Sequence, residues 1–260
     1  MTYTLIGTGN MAYFLAQRLQ QAGFVCKGVW DRKQGKAAEL AYALAATTIT
    51  ELSQLKDEND VCIIAVTDDA IETISNSLRL TVTTVIHTSG SQPLDILIQP
   101  NKAVLWPVYS IIKDALPLTR NFPVVCESSN IIAKGKAEKF AAALSDQIFH
   151  ATADKRKWMH LIAAMGNNFT NHILAVCDAL CKEQDIPFQI FLPIISQTFE
   201  RIKTAHAIDL QSGAARRNDQ KTIENHLHLL KEYPLWKEVY KKISASIKDM
   251  YSPKGDNNIG

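Results

Sequence analysis

Apolar positions along this chain fall into two textures. Up to about residue 152, short apolar or β-branched runs alternate with stretches of helical spacing. Thr2–Ile6, Phe24–Trp30, Thr47–Ile49, Asp60–Val66, Thr83–His87, Ala103–Trp106, Phe122–Cys126 and Gln147–His150 read as strands. Asp60–Val66 (DVCIIAV) is apolar at nearly every position, as a parallel strand covered on both faces should be. Ala12–Ala22 places Phe14, Leu15, Leu19 and Ala22 at helical spacing before Gly23. Lys36–Leu44, Asp69–Leu78, Pro93–Ile98 and a stretch from about Ile132 to Leu144 read as further helices. This alternation predicts an α/β fold with a doubly wound parallel sheet. Beyond Thr152 the strand-like runs stop. Asp154–Glu183 reads as one long helix, with no proline until Pro187, and Phe188–His206, Asp219–Lys231 and Leu235–Met250 as three more. The polar end, Ser252–Gly260, reads as frayed. The expected organisation is an α/β domain over 1–152 and an all-helical domain over 153–260.

Composition changes this picture little. The 260 residues are 47% hydrophobic and 21% charged, ordinary for a soluble globular protein with a real core. A net charge of +2 gives no reason to invoke nucleic acid or an anionic membrane. The start MTYTLIGTG has no basic region before a long apolar stretch, and no apolar run approaches the roughly 18 residues of a membrane helix. A cytoplasmic protein is expected. Of the five cysteines, Cys26, Cys62 and Cys126 fall in strand-like runs. Cys177 and Cys181 share a helix face, but no spacing completes a zinc site, so no metal is expected.

The most informative chemistry is at the start. Gly7-Thr8-Gly9-Asn10-Met11-Ala12 follows the first strand and opens the first helix, a G-x-G-x-x-A dinucleotide fingerprint. The first glycine permits the tight turn, the second lets the backbone approach a diphosphate, and Ala12 lets helix and strand pack closely. Amides at the helix start then face the anion. The second strand ends in Asp31-Arg32-Lys33, with Lys36 nearby. An acidic residue there holds the ribose 2′-OH of NAD, whereas an arginine holds the 2′-phosphate of NADP. Both are present. NADP is favoured, with NAD the alternative and a solvated charge cluster the plainer reading.

Two loops leave the carboxyl ends of later strands, where ligands of open α/β sheets sit. Val66, Thr67 and Asp68 could border a nicotinamide, although Asp68 could equally cap a helix. His87-Thr88-Ser89-Gly90-Ser91 offers an imidazole, three hydroxyls and a glycine backbone. These suit a small polar substrate or an oxyanion, or else the hydroxyls are caps. In the helical half, Asn168, Asn171 and His172 share a face at i, i+3 and i+4, and Asn167 lies seven residues from His160. A polar cleft explains them no better than a wet subunit surface or a single satisfied core histidine. Gln211–Ile223 holds a Gly-Ala-Ala turn, then Arg216 and Arg217, a pair able to clamp a carboxylate or phosphate, and Asp219 as a helix cap. His226 and His228 do not share a helix face and do not read as ligands.

Taken together, GTGNMA, IIAVTDD, HTSGS, GNNFTNH (Gly166–His172) and SGAARRNDQKTIENHL (Ser212–Leu227) resemble the Rossmann-like proteins carrying domain of unknown function 2520. These are related to deazaflavin-dependent NADP reductases, pyrroline-5-carboxylate reductases and the 3-hydroxyisobutyrate/6-phosphogluconate dehydrogenases. The resemblance covers roughly Thr4–Ile247. It implies a Rossmann domain followed by an all-α 6-phosphogluconate-dehydrogenase-like domain, often dimeric through its helices. It also implies NADP binding at Gly7, Gly9, Asn10, Met11 and Arg32. Asp31 stands where related dehydrogenases have asparagine. Their catalytic lysine falls three residues before an Asn-Asn pair, which here is Asn167-Asn168, and the lysine position is Ala164. His160, one turn earlier, could take its place, since imidazole titrates near neutral pH.

The expectation is therefore an NADP-dependent oxidoreductase that passes hydride between the nicotinamide and a small polar substrate in an interdomain cleft. His160 or His87 would move the proton, Ser89, Gly90 and Ser91 would orient the substrate, and Asn168 or Asn171 would hold it. A homodimer through the helical domain is expected. The rival is an NADP-binding sensor without turnover, favoured by loss of the lysine. An imine reductase of the pyrroline-5-carboxylate type is a third possibility, less well matched in the second half.

Overall fold

A computed structural model describes residues 1–117 and 119–252; the polar tail from Pro253 lies outside the described residues. The chain divides into two compact units, Met1–Asn168 and Phe169–Gly260.

Eight strands form the sheet of the first unit: β1 (Thr2–Ile6), β2 (Val25–Trp30), β3 (Thr47–Thr48), β4 (Val61–Ile64), β5 (Thr84–His87), β6 (Lys102–Pro107), β7 (Pro123–Ser128) and β8 (Gln147–His150). Their order is β3-β2-β1-β4-β5-β6-β7-β8. The first six strands run parallel, as expected. β7 lies antiparallel to β6, and β8 is parallel to β7. A parallel crossover needs a layer-spanning connection, usually a helix. The described part of the link from β6 to β7 carries only a 3₁₀ turn at Lys113–Ala115, so the chain turns back beside β6. The expected helix over Pro93–Ile98 is likewise a single 3₁₀ turn, Leu94–Ile96.

Alternate strand residues feed two layers. Tyr3, Leu5, Ile63 and Leu105 share a core with Phe14, Leu15 and Leu19 of α1 (Asn10–Gln21) and Phe140 and Leu144 of α4 (Ile131–Leu144). Leu40 and Ala41 of α2 (Gln34–Ala43) join that layer. Phe140 is fully buried and meets the rings of Tyr3 and Phe24 edge-on, at 6.0 and 4.7 Å. Burying such a side chain contributes about 1.5–3 kcal/mol. On the other face, Ile6, Cys62, Ile64 and Val85 pack with Ile71 and Ile74 of α3 (Ile71–Ser77). Val104, Trp106 and Val125 continue that face toward Met159 of α5 (Ala153–Ala163).

The long helix expected over Asp154–Glu183 is interrupted. α5 gives way to a π-helical turn at Ala164–Phe169, after which α6 (Thr170–Glu183) resumes. Gly166 sits in that turn, where a residue without a side chain holds the α-helical conformation least strongly. The i→i+5 pattern takes up an extra residue per turn. The seven-residue step from His160 to Asn167 therefore no longer closes two α turns, which removes the basis for placing them on one stripe.

The second unit holds α6, α7 (Leu192–Arg201), α8 (Gln220–Leu229) and α9 (Pro234–Tyr251). The helix expected over Phe188–His206 begins as a 3₁₀ turn and ends at Arg201. Asp219 caps α8 as expected, accepting from the Thr222 amide at 3.1 Å and the Thr222 hydroxyl at 2.7 Å. Among the described residues of this unit only Cys181, Ile223 and Ser244 are buried. Ile190, Phe191, Leu192, Ile194, Phe199 and Ile202 all face solvent. A helical unit of this size ordinarily encloses a core, and this one does not.

Candidate functional site

The turn after β1 is built for close backbone approach. Gly7 has φ +111° and donates its amide to the Trp30 carbonyl at 2.7 Å. A Cβ there would collide with the carbonyl of Ala65, so only glycine fits. Gly9, the N-cap of α1, is different: a Cβ there would meet nothing, and no side chain caps the helix. The amides that open α1 thus face free space. That space is a cavity of about 610 Å³, lined by Gly7, Thr8, Gly9, Asn10, Met11, Trp30, Asp31, Arg32, Lys33, Lys36, Ala65, Val66 and Thr67, among others. Ala12 is fully buried in the adjoining core, as the third small position requires.

Asp31 is already engaged. One carboxylate oxygen accepts from the Thr8 hydroxyl at 2.8 Å, the other from the Lys33 amide at 2.8 Å. It fixes the turn after β2 and ties it to the glycine turn. Arg32, Lys33 and Lys36 form no ion pair with any described residue, although all three line the cavity. An open amide cradle beside three uncompensated cations has the donor set for a diphosphate and an additional phosphate. The residues fit a dinucleotide.

At the neighbouring strand ends, Asp68 does not cap a helix. It lies inside a 3₁₀ turn (Asp68–Ala70), and its carboxylate accepts the Ser91 hydroxyl. Ser89 Oγ accepts the amides of Ser91 and Gln92, each at 3.1 Å, and lies 3.3 Å from Ser91 Oγ. Gly90 rests on the indole of Trp106, where any Cβ would overlap the ring. His160 also lies beside that indole, with ring centroids 5.8 Å apart. The loop and His160 are therefore brought to the same indole.

His87 does not behave as a proton donor. It is fully buried, its Nε2–H pointing to the Pro93 carbonyl at 3.3 Å while Nδ1 accepts the Ser89 amide at 3.2 Å. Burial, with the nearby Arg156 charge adding to it, pushes its pKa down to about 4. Both ring nitrogens are committed to shaping the loop. The unfolded chain takes up a proton below about pH 6.5, which the folded chain refuses until about pH 4. This contribution to stability is complete above pH 6.5 and is lost as pH falls through that window, at most roughly 3 kcal/mol. NMR of labelled imidazoles should find His87 neutral at pH 5. His87→Gln should flatten the pH dependence of unfolding between pH 6.5 and 4.

With this geometry established, likeness to known proteins can be set beside it. Residues 122–247 match the family model described as domain of unknown function (DUF2520). Ahead of them, residues 2–89 match the model for coenzyme F420-dependent NADP oxidoreductase. A candidate NADP oxidoreductase from Bacteroides fragilis has 29% identity over 95% of this chain and 98% of its own, with a TM-score of 0.86. A Thermotoga maritima protein has 19% identity over 96% and 98%, with a TM-score of 0.71. An imine reductase from Myxococcus stipitatus, solved with NADP+, shares the fold at 15% identity, 96% and 93% coverage and a TM-score of 0.66. No curated protein matches.

The stretch that matches this model begins inside the sheet and takes in the part of the site that sequence reasoning missed. Arg156 on α5 is fully buried. Its Nη1 pairs with Glu127 of β7, its Nη2 donates to the Gln92 carbonyl at 2.6 Å, and its Nε has no partner among the described residues. Glu127 also accepts the Ala153 amide at 3.2 Å, where α5 begins. Arg156 and His160 are one turn apart, so the same helix face reaches both the loop after Ser91 and Trp106. That i, i+4 relation was the available signal, hidden in the basic run Lys155-Arg156-Lys157. Asn167 and Asn168 bond to each other at 3.1 Å and are exposed, as is Asn171 on α6. Of the arginine pair, Arg216 lies over the Tyr251 ring at 4.3 Å, which makes it a fastening for its loop.

Proposed function

We propose that this chain is an NADP-dependent oxidoreductase that transfers hydride between the nicotinamide and a small polar substrate. The observation that carries the reading is the open Gly7–Gly9 cradle beside the uncompensated Arg32, Lys33 and Lys36. The match to NADP oxidoreductases over residues 2–89 supports it, as does the NADP+ complex of the Myxococcus stipitatus enzyme. Backbone amides from Thr8 to Met11 would hold the diphosphate, and Arg32 with Lys33 the 2′-phosphate. Val66, Thr67 and Asp68 would border the nicotinamide. When bound, that ring supplies the carbon that gives or takes hydride. Ser89 and Ser91 would orient a carbonyl, imine or alcohol group through their hydroxyls. Trp106 would exclude water on one side of them. His160 would move the proton at an imidazole nitrogen, and Asn168 would hold a polar group of the substrate. A panel of aldehydes, ketones and cyclic imines should contain members that consume NADPH. With such a substrate, His160→Ala should lower kcat about a hundredfold without changing NADPH affinity.

The second reading is a sensor that binds NADP without turnover. Ala164 at the lysine position and the locked imidazole of His87 favour it. Tight NADPH binding with no consumption across the panel would select it.

We also propose that the chain is a homodimer through its helical unit. Three buried residues cannot hold that unit together, whereas a second copy laid on the exposed apolar face at Ile190–Ile202 would supply the missing core. Sedimentation should give a dimer, and the thermal midpoint should rise with protein concentration. Ile194→Lys should produce monomers with a lower midpoint. A monodisperse native monomer would exclude this assembly.

A further inference from the structure

The second unit contains a concavity that the hydride-transfer reading leaves unused. It has a volume of about 410 Å³, within the range of small-molecule sites. Its walls include Val176 and Leu180 of α6 and Trp236 and Ile247 of α9. The turn Ser212–Ala215 closes one side. Among the described residues, no Asp, Glu, Lys or Arg lines it.

The motif at 211–226 is spent on building this space. Gly213 adopts φ +98°, and the small residues Ser212–Ala215 keep that wall low. Arg216 fastens the turn to the end of α9 through the face of Tyr251, whose hydroxyl donates to the Ile208 carbonyl at 2.8 Å. Asp219 and Thr222 start α8 at the position that carries His226 to the cavity. There His226 Nδ1 pairs with the Tyr240 hydroxyl at 2.8 Å, the rings meeting edge-on at 5.6 Å. The second imidazole nitrogen has no partner among the described residues. The apolar side chains that stand out along Ile190–Ile202 are not among the lining, so this cavity and the proposed subunit surface are different sets of residues.

We propose that this cavity binds a neutral small molecule with an apolar body and one hydrogen-bonding group, received by His226. A charged ligand is disfavoured because nothing in the wall would compensate its lost hydration. The site stands independently of hydride transfer. It gives His226 a task as a hydrogen-bond partner for a ligand, where its spacing from His228 offered none as a metal ligand.

The test uses the full-length protein at pH 7, with 2-naphthol as the neutral probe and 2-naphthoate as its anionic counterpart, measured by calorimetry. The expected result is saturable 2-naphthol binding, at least tenfold tighter than that of 2-naphthoate. His226→Leu should weaken 2-naphthol at least tenfold. Ala215→Phe, which fills the cavity from its rim, should abolish binding while helix content by circular dichroism is unchanged. If Ala215→Phe fails to fold, a contact map from saturation-transfer NMR on the parent protein must place the probe against Trp236 and Tyr240. Absence of binding up to the solubility limit overturns the proposal. So does binding indifferent to His226→Leu. Dissociation of a dimer by 2-naphthol would also overturn it, by making a second copy the natural occupant.

Discussion

Arg32→Ala is expected to weaken NADPH binding about a hundredfold while leaving NADH binding within about twofold. A guanidinium that holds a phosphate with two charge-assisted hydrogen bonds supplies about 1.5–3 kcal/mol per bond, and a hundredfold is about 2.7 kcal/mol. The expectation rests on how the end of β2 is arranged. Asp31 is the residue that argues for NAD, yet both its oxygens already accept hydrogen bonds, from Thr8 and Lys33. Arg32 carries no such commitment and lines the same cavity. Asp31→Asn should accordingly change the NADPH-to-NADH preference far less than Arg32→Ala. Calorimetric titration of the three proteins with both nucleotides decides the point. Equal losses for NADPH and NADH in Arg32→Ala would move the guanidinium to the diphosphate. Failure of the parent protein to bind either nucleotide would end the oxidoreductase reading.

Arg156→Ala is expected to destabilise the first unit by about 3 kcal/mol, which lowers its thermal midpoint by roughly 6–12 °C. The guanidinium is fully buried, and its loss strands the Glu127 carboxylate, itself only 21% exposed. The Gln92 carbonyl loses its donor as well. The doubly apolar exchange Arg156→Leu with Glu127→Leu should recover much of the loss, because a buried pair is costly to halve and cheap to replace. The same change has a second readout. Removing the Arg156 charge takes away one of the causes that hold His87 below its ordinary value, so its imidazole should begin to protonate at higher pH. A midpoint shift without movement of the His87 titration would separate packing from electrostatics.

Local chemistry was legible where one stretch of chain does the work alone. Gly7, Gly9 and Ala12 each do what the fingerprint demands, and the strands from Thr2 to His87 fall close to their expected places. The reversal at β7 was not legible, because it depends on what the link from β6 lacks. The π turn at Ala164–Phe169 was hidden for a related reason. Helical periodicity reports hydrophobic spacing, and one extra residue in an exposed turn leaves that spacing almost unchanged. His87 shows the limit most clearly. The sequence presents an imidazole at a strand end, but only the fold reveals that Pro93, Ser89 and Arg156 surround it. Arg156 itself stands between two lysines, and nothing in that basic run marks it as buried.

The border at residue 122 carries a consequence for how such proteins are inherited. The DUF2520 match starts just before β7, yet β7 is zipped to β6 from Ala103↔Ser128 to Pro107↔Val124. A recombination event that moved residues 122–247 alone would leave that strand with a bare backbone edge against water. Glu127 and Arg156 would travel together, but the Gln92 carbonyl that Arg156 holds would stay behind. Residues 122–247 of this chain are therefore not self-contained, and the 121 residues before them are needed to complete their sheet.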